Sequence, residues 1–367
     1  MKILYLTNVP SPYRVAYFNK LGESCDLTVI FERGYSSERD KSWLTFSADT
    51  FRYDIMNGIN FGVDCALCFD VFKYLSPDYD HIVVTNFSDP TGILAILYMK
   101  LRHICYEIES DGGFPSKTVS FFKKTIKKCL FKDASLFFST STVHDEYYYQ
   151  YGASSQKVVR YPFTSIFEND LIDSIVSDNE KINIRKKLNI AEKNVVISVG
   201  RFNYENGYGK GFDLLLKIAE IKREIEFYII GDNPTQEFID LKNDFQLDNV
   251  HYIPFLNKET LKEYYKAADL MVLLTRGDVW GLVVNEALSN GVPVVTTDRC
   301  IAGLELIDTS NGLIVPANSI VETLAFIDRF FSDSLFRQNL AEGALNKARD
   351  YTMEKMVSSH FAIWNHK

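Results

Sequence analysis

The chain has 367 residues, 46 % of them hydrophobic and 24 % charged, with a formal net charge of −8. That balance is globular and excludes a disordered, collagenous or bare coiled-coil chain, while the length asks for two or so domains of about 150 residues. A net negative field disfavours nucleic acid as a partner.

The first residues, Met1-Lys2-Ile3-Leu4-Tyr5-Leu6-Thr7, read as a buried strand. One lysine and a short apolar run make a poor signal peptide, and no apolar run reaches the roughly 18 residues of a membrane span. The sequon Asn86-Phe87-Ser88 is read as chance. Cysteines stand at 25, 65, 68, 105, 129 and 300. Cys65 and Cys68 have no second pair or histidine beside them, so reduced cytosolic thiols are expected and no zinc site.

Short apolar, β-branched or aromatic runs recur along the chain. They predict strands at Ile3–Thr7, Leu27–Phe31, Ile82–Thr85, Ile104–Ile108, Leu136–Ser139 and Val158–Tyr161. A second series falls at Val195–Val199, Phe227–Ile230, Val250–Ile253, Leu270–Leu274 and Val294–Thr297. Most of the gaps are helical in period, as at Phe212, Leu215, Leu216, Ile218 and Ala219. Continuous apolar strands alternating with helices predict an α/β protein with two Rossmann-like domains of parallel sheet. The domains are placed at 1–163 and 164–350, joined through the polar stretch Asp173 to Lys187. A helix over 351–367 caps the second domain or crosses back to the first.

Basic and acidic side chains balance within 1–163, so the whole negative charge lies in the second half. In the first half, Lys117, Lys123, Lys124, Lys127, Lys128 and Lys132 interleave with Phe121, Phe122, Ile126, Leu130 and Phe131. This fits an amphipathic helix meeting an anionic membrane through Lys123, Lys124, Lys127 and Lys128, with Phe121, Phe122 and Phe131 facing lipid. An ordinary surface helix is the alternative. The tyrosines 147, 148, 149 and 151 serve packing or glycan stacking.

The most informative stretch is Thr275 to Val295, which reads strand, loop, helix, glycine stop, strand. Gly291 is a natural helix stop and Pro293 prevents continuation. The amides of Gly281, Leu282 and Val283 open the helix and suit a diphosphate. Asp278 and Glu286 are carboxylates eight residues apart, roughly 12 Å if helical, and could hold sugar hydroxyls at both ends of an extended ligand. Equally, Asp278 could cap the helix and Glu286 could face solvent. Gly200-Arg201-Phe202 and Lys210-Gly211-Phe212 bracket a loop containing Gly207 and Gly209. Two cations there could neutralise a diphosphate, or be solvated. The spacing is neither a Walker A nor a dinucleotide fingerprint.

These residues resemble the donor domain of a GT-B glycosyltransferase of family 4, the group 1 glycosyl transferases. The matching pieces are G-R-F at 200–202, K-G-F at 210–212, I-I-G-D-N at 229–233, A-A-D-L-M-V-L-L at 267–274 and W-G-L-V-V-N-E-A-L-S-N-G-V-P-V-V at 280–295. The T-N-V-P-S-P-Y-R stretch at 7–14 is similar to enzymes that build bacterial surface polysaccharides. The resemblance implies a GT-B fold, two Rossmann-like domains facing a central cleft. It implies that Arg201 and Lys210 hold the donor diphosphate and that Glu286 binds ribose hydroxyls. Asp278, where the family's E-x7-E pattern has its first Glu, would contact the transferred sugar, beside Gly200 and the amides of Gly281 to Val283. Gly231 and Phe255 would border the base.

On the acceptor side, Ser11 is expected to cap a helix starting at Pro12, with Arg14 in its first turn. Glu109 or Asp111 is expected to touch the acceptor or reacting sugar, where many relatives place a histidine. A polar turn on Gly112 and Gly113 is the other reading. Asp78-Tyr79-Asp80 precedes a strand and is read as a turn; no metal and no cofactor are expected.

The function expected is retaining transfer of a sugar from a nucleotide sugar, UDP favoured over GDP, to a glycan acceptor. That acceptor is taken to be lipid-linked, at the cytoplasmic face of a bacterial cell membrane, in surface polysaccharide synthesis. A GT-B-like sugar-nucleotide epimerase and a binding homologue without catalysis are the alternatives.

Overall fold

A computed structural model describes residues 1–35, 46–116, 118–190, 194–202 and 208–365. Lys117 and Gly207 lie outside these residues. The chain divides into two compact units, Met1–Ser165 with Met353–Lys367, and Ile166–Thr352.

The first unit begins β1 (Lys2–Thr7), α1 (Pro12–Gly22), β2 (Asp26–Phe31), β3 (Arg52–Ile55), β4 (Ile59–Phe61) and β5 (Cys65–Leu67). It continues β6 (His81–Val84), α2 (Pro90–Leu101), β7 (Glu107–Glu109), α3 (Phe121–Phe131), β8 (Leu136–Ser139), α4 (Thr142–Gln150) and β9 (Val158–Arg160). Its main sheet runs β3-β2-β1-β6-β7-β8-β9, every neighbouring pair parallel. The strands bury aliphatic and aromatic side chains: Ile3, Leu4, Tyr5 and Leu6 of β1 are enclosed. β4 and β5 form a separate antiparallel hairpin.

The second unit holds α5 (Asp178–Leu188), β10 (Val195–Val199), α6 (Phe212–Ile221), β11 (Glu226–Ile230), α7 (Gln236–Asp244), β12 (Val250–Ile253) and α8 (Lys258–Ala267). Then follow β13 (Leu270–Leu273), α9 (Leu282–Ser289), β14 (Val294–Thr297), α10 (Ile301–Leu306), β15 (Gly312–Val315), α11 (Val321–Ser332) and α12 (Ser334–Ala348). Its parallel sheet runs β12-β11-β10-β13-β14-β15, so strand order reverses between β10 and β13. Open α/β sheets bind ligands at the carboxyl ends flanking such a reversal. The last helix, α13 (Met353–Asn365), belongs to the first unit.

Several expectations are corrected. The polar stretch from Asp173 contains a helix, α5, capped by the Ser177 hydroxyl, which accepts from the Glu180 amide, and ended by left-handed Asn189. Ser11 occupies the N-cap position of α1, yet its side chain makes no capping bond; Pro12 starts the helix instead. Phe131 is 1 % exposed and packs edge-on against Phe87 and Phe137, so it faces the core rather than lipid. Tyr148 and Tyr151 are buried with it, which makes these rings packing residues. As expected, Asp78 and Asp80 lie in a turn, where Asp80 accepts from the Lys2 amide at 2.7 Å and Asp78 from the Ser76 hydroxyl at 2.7 Å. All six cysteines are free thiols. Among the described residues, no helix is long and apolar enough to cross a membrane.

Candidate active site

Because the second unit's strands are parallel, the loops after β12, β11, β10 and β13 all leave one edge of the sheet. That edge gathers Phe255, Gly231, Gly200-Arg201 and the Thr275–Gly281 loop. Gly231 meets the loop after β10 so closely that a Cβ there would lie 1.8 Å from the Gly200 carbonyl oxygen. Phe255 is 57 % exposed, a free apolar ring at that edge.

Lys210 arrives just before α6. Gly211 caps that helix in the left-handed region, and a Cβ on it would lie 2.0 Å from the Leu274 carbonyl oxygen. The loops after β10 and β13 are thereby pressed together. Arg276 ties them further: it binds both carboxylate oxygens of Asp213, at 2.7 and 2.8 Å, and the Tyr208 carbonyl at 2.6 Å. The Thr275 hydroxyl donates to the Gly209 carbonyl at 2.9 Å.

At the junction, Lys210 Nζ lies 2.5 Å from Asp278 Oδ2. Asp278 is not on a helix. Its amide donates to the Arg299 carbonyl and it bridges to Cys300, so the roughly 12 Å helical separation from Glu286 does not apply. Nor does it cap α9. The N-cap is Gly281, left-handed at φ +102°, where a Cβ would crowd Cys300 Sγ at 2.8 Å and stand 3.6 Å from Asp278 Oδ2. The carboxylate is thus held beside the mouth of α9, whose first amides, Leu282 and Val283, have no carbonyl within the helix to reach. Burial pushes the Cys300 thiol up to about 12, with Asp278 adding to the shift, so this sulfur stays protonated.

Glu286 lies one turn along α9 and is partly buried rather than free in solvent. The Tyr265 hydroxyl donates to its Oε2 at 3.0 Å. Burial raises its pKa, against the Tyr265 hydrogen bond and the charge of Lys258. Nothing in the sequence pointed to Tyr265 or Arg276 as supports; both act across 20 or more residues of chain.

In the first unit, Arg14 is buried and bridges two acids, one guanidinium nitrogen on Glu109 Oε1 and the other on Asp111 Oδ1. Glu109 is wholly enclosed: Tyr5 donates to Oε2 at 3.0 Å and His360 Nε2 stands 3.4 Å away. Burial would raise its pKa, but Arg14 and then His360 bring it down to about 2. The expectation that Glu109 touches a ligand is corrected, since no part of it is exposed. Arg14, likewise buried, supports Asp111 rather than presenting itself. Asp111, 30 % exposed, also accepts from the Tyr13 hydroxyl. The turn is pinned by Ser110, whose hydroxyl is 2.9 Å from His144 Nε2, and by Gly113, where a Cβ would meet the Tyr147 ring at 2.9 Å.

On α3, Phe121 and Phe122 are 84 % and 72 % exposed, and Lys123 and Lys128 are exposed beside them. Lys124 is partly buried. Lys127 turns inward: it donates to the Tyr147 hydroxyl at 2.6 Å and lies 4.9 Å from the Tyr151 ring centre. Burial lowers its pKa. Among the described residues, no three His, Cys, Asp or Glu side chains gather as metal ligands.

The family model of group 1 glycosyl transferases matches residues 180–347. The matched residues lie within the second unit, Ile166–Thr352. An uncharacterized glycosyltransferase of Methanocaldococcus jannaschii is 30 % identical over 180 residues, 47 % of this chain and 45 % of that protein. An uncharacterized 41.2 kDa protein in the cps region of Klebsiella pneumoniae is 27 % identical over 228 residues, 59 % of each chain. The chain spans about half the length of the curated relatives it matches. Among solved structures, HepE of Anabaena in complex with UDP aligns over 100 % of both chains, with TM-score 0.82 and 16 % identity. The two Rossmann-like halves are those of GT-B glycosyltransferases.

Proposed function

We propose that the protein is a retaining glycosyltransferase that moves a sugar from a UDP-sugar to a glycan acceptor in bacterial surface polysaccharide synthesis. The observation that carries this reading is the convergence of Lys210, Asp278 and the mouth of α9 on one edge of the second sheet. Lys210 and Arg201 take the diphosphate and stabilise the charge growing on the leaving group. Glu286 takes ribose hydroxyls, with its carboxylate oriented by Tyr265. Asp278 accepts from hydroxyls of the transferred sugar, and Gly231 and Phe255 border the base. The leaving phosphate helps deprotonate the acceptor, on the same face of the sugar. Two protein cations on the diphosphate remove the need for a metal ion, so activity should survive EDTA. The choice of uracil follows from HepE, which has been crystallised with UDP and UDP-glucose.

Asp111 is assigned to the acceptor or the reacting sugar, held ready by Arg14 and Tyr13. A lipid-linked acceptor at the cytoplasmic face of the cell membrane fits α3, where Phe121 and Phe122 stand out beside Lys123 and Lys128. Exposed aromatic rings next to lysines suit anionic lipid.

The test is transfer from UDP-, GDP-, ADP- and TDP-sugars to glycan and lipid-linked acceptors. A UDP-sugar should be consumed, and Lys210→Ala and Glu286→Ala should each lower kcat/KM by at least roughly tenfold, a loss of about 1.4 kcal/mol of transition-state stabilisation. Full activity in both variants sinks the site.

A further inference from the structure

We propose that Asp278 discriminates against the sugar-free nucleotide by competing with its diphosphate for Lys210. The inference rests on the reading of Lys210 as a diphosphate-binding cation.

The Lys210 ammonium is already taken. Lys210 Nζ and Asp278 Oδ2 are 2.5 Å apart, and each side chain is only 16 % exposed. Both partners have little room to drift. The lysine stem runs against Gly200, where a Cβ would lie 3.1 Å from Lys210 Cγ. The Asp278 backbone is pinned between the Arg299 carbonyl and Cys300. A diphosphate and a carboxylate are both pure acceptors for the same ammonium. Three N–H groups could serve both anions only by drawing like charges together in a half-enclosed site, which is unfavourable. A diphosphate arriving alone must therefore displace Asp278 and leave a partly buried carboxylate without its cation. An intact sugar nucleotide escapes this cost. Its sugar hydroxyls are donors that can take up the released carboxylate and stand between it and the phosphate. The same exchange favours release of the nucleotide once the sugar has left, because Asp278 returns to Lys210.

A double-mutant cycle on the full chain separates exchange from simple repulsion. UDP binding is measured by calorimetry for wild type, Asp278→Asn, Lys210→Met and the double variant, with GDP and ADP as base controls. Thermal unfolding at millimolar nucleotide reads the weaker complexes, and melting without nucleotide checks that each variant folds. Asp278→Ser serves as a second variant.

Asp278→Asn should tighten UDP by roughly fivefold or more in the otherwise unaltered chain, and by clearly less when Lys210 is already Met. Equal tightening in both backgrounds means that Asp278 acts by repulsion alone and overturns the proposal. An unchanged or weaker affinity of Asp278→Asn overturns it too. If Lys210→Met leaves UDP affinity unaltered, or none of the three nucleotides binds, the assignment of Lys210 itself falls and the exchange falls with it.

Discussion

Glu32 and Glu109 are both buried carboxylates of the first unit, yet they titrate in opposite directions. Glu32 is 1 % exposed and held by the Ala66 amide at 2.8 Å and by Asn86. Burial, with repulsion from Asp89, pushes it up to about 8. An acid whose pKa is raised on folding favours the protonated native state. Its contribution is whole below the unfolded value of about 4.3 and is lost as pH rises toward 8. The decline has a limiting slope of about 1.4 kcal/mol per pH unit. Urea midpoints at pH 5 and pH 8 should therefore differ in wild type, and Glu32→Gln should reduce the difference. Glu109 works the other way. Its folded pKa of about 2, set by Arg14 against the cost of burial, makes its contribution whole above about 4.3 and lost as pH falls toward 2. Acid unfolding of Glu109→Gln should accordingly be shallower between pH 4 and 2. Neither prediction was accessible from residue type alone, because only the neighbours decide the sign.

At the scale of elements, α13 is an amphipathic helix that buries Met353, Met356, Val357, His360 and Trp364. Trp364 donates to Glu107 Oε2 at 2.8 Å, and its ring stacks on His81 with centroids 5.0 Å apart. Trp364→Ala should cost roughly 3–5 kcal/mol of stability, as large-to-small changes at a buried aromatic do, and the denaturant midpoint will show it. On α3 the prediction concerns function: Phe121→Ser with Phe122→Ser should weaken sedimentation with anionic vesicles and leave the melting temperature nearly unchanged, since both rings are exposed. The sequence signals for elements were unequal. Val195–Val199 and Val294–Thr297 were legible to the residue because strands buried on both faces are rich in β-branched residues, and Val250–Ile253 was too, although only Val250 of that edge strand is buried. β3 was not, because Arg52, Tyr53, Asp54 and Ile55 lie at the sheet edge and are all exposed. The strand expected from Ile104 begins only at Glu107 and runs to the buried Glu109. In α5 the signals were present, a serine cap and an asparagine stop, but its polar composition concealed them.

At the scale of the whole chain, the last helix returns to the unit formed by the first 165 residues. Removing residues 353–367 uncovers Phe138, which stacks on His360, and Tyr161, which meets the same ring. Calorimetry of the truncated chain should show the first unit melting earlier and the second unit unaltered. The sequence by itself determined the class of fold, the alternation of strand and helix, and the loops that carry Lys210 and Asp278, because backbone periodicity and glycine punctuation are local properties. Tertiary structure decided which charged groups are exposed and which are buried and paired. Arg14 and Glu109 look like site residues in a string of letters, and only packing shows that they pair with each other, with Arg14 also holding Asp111. Lys127 looks like its neighbours and is spent on tyrosines. Lys210 and Asp278, 68 residues apart, become one unit where parallel strands leave a common edge. Burial and pairing energies depend on what lies across space, and that is information a linear pattern does not contain.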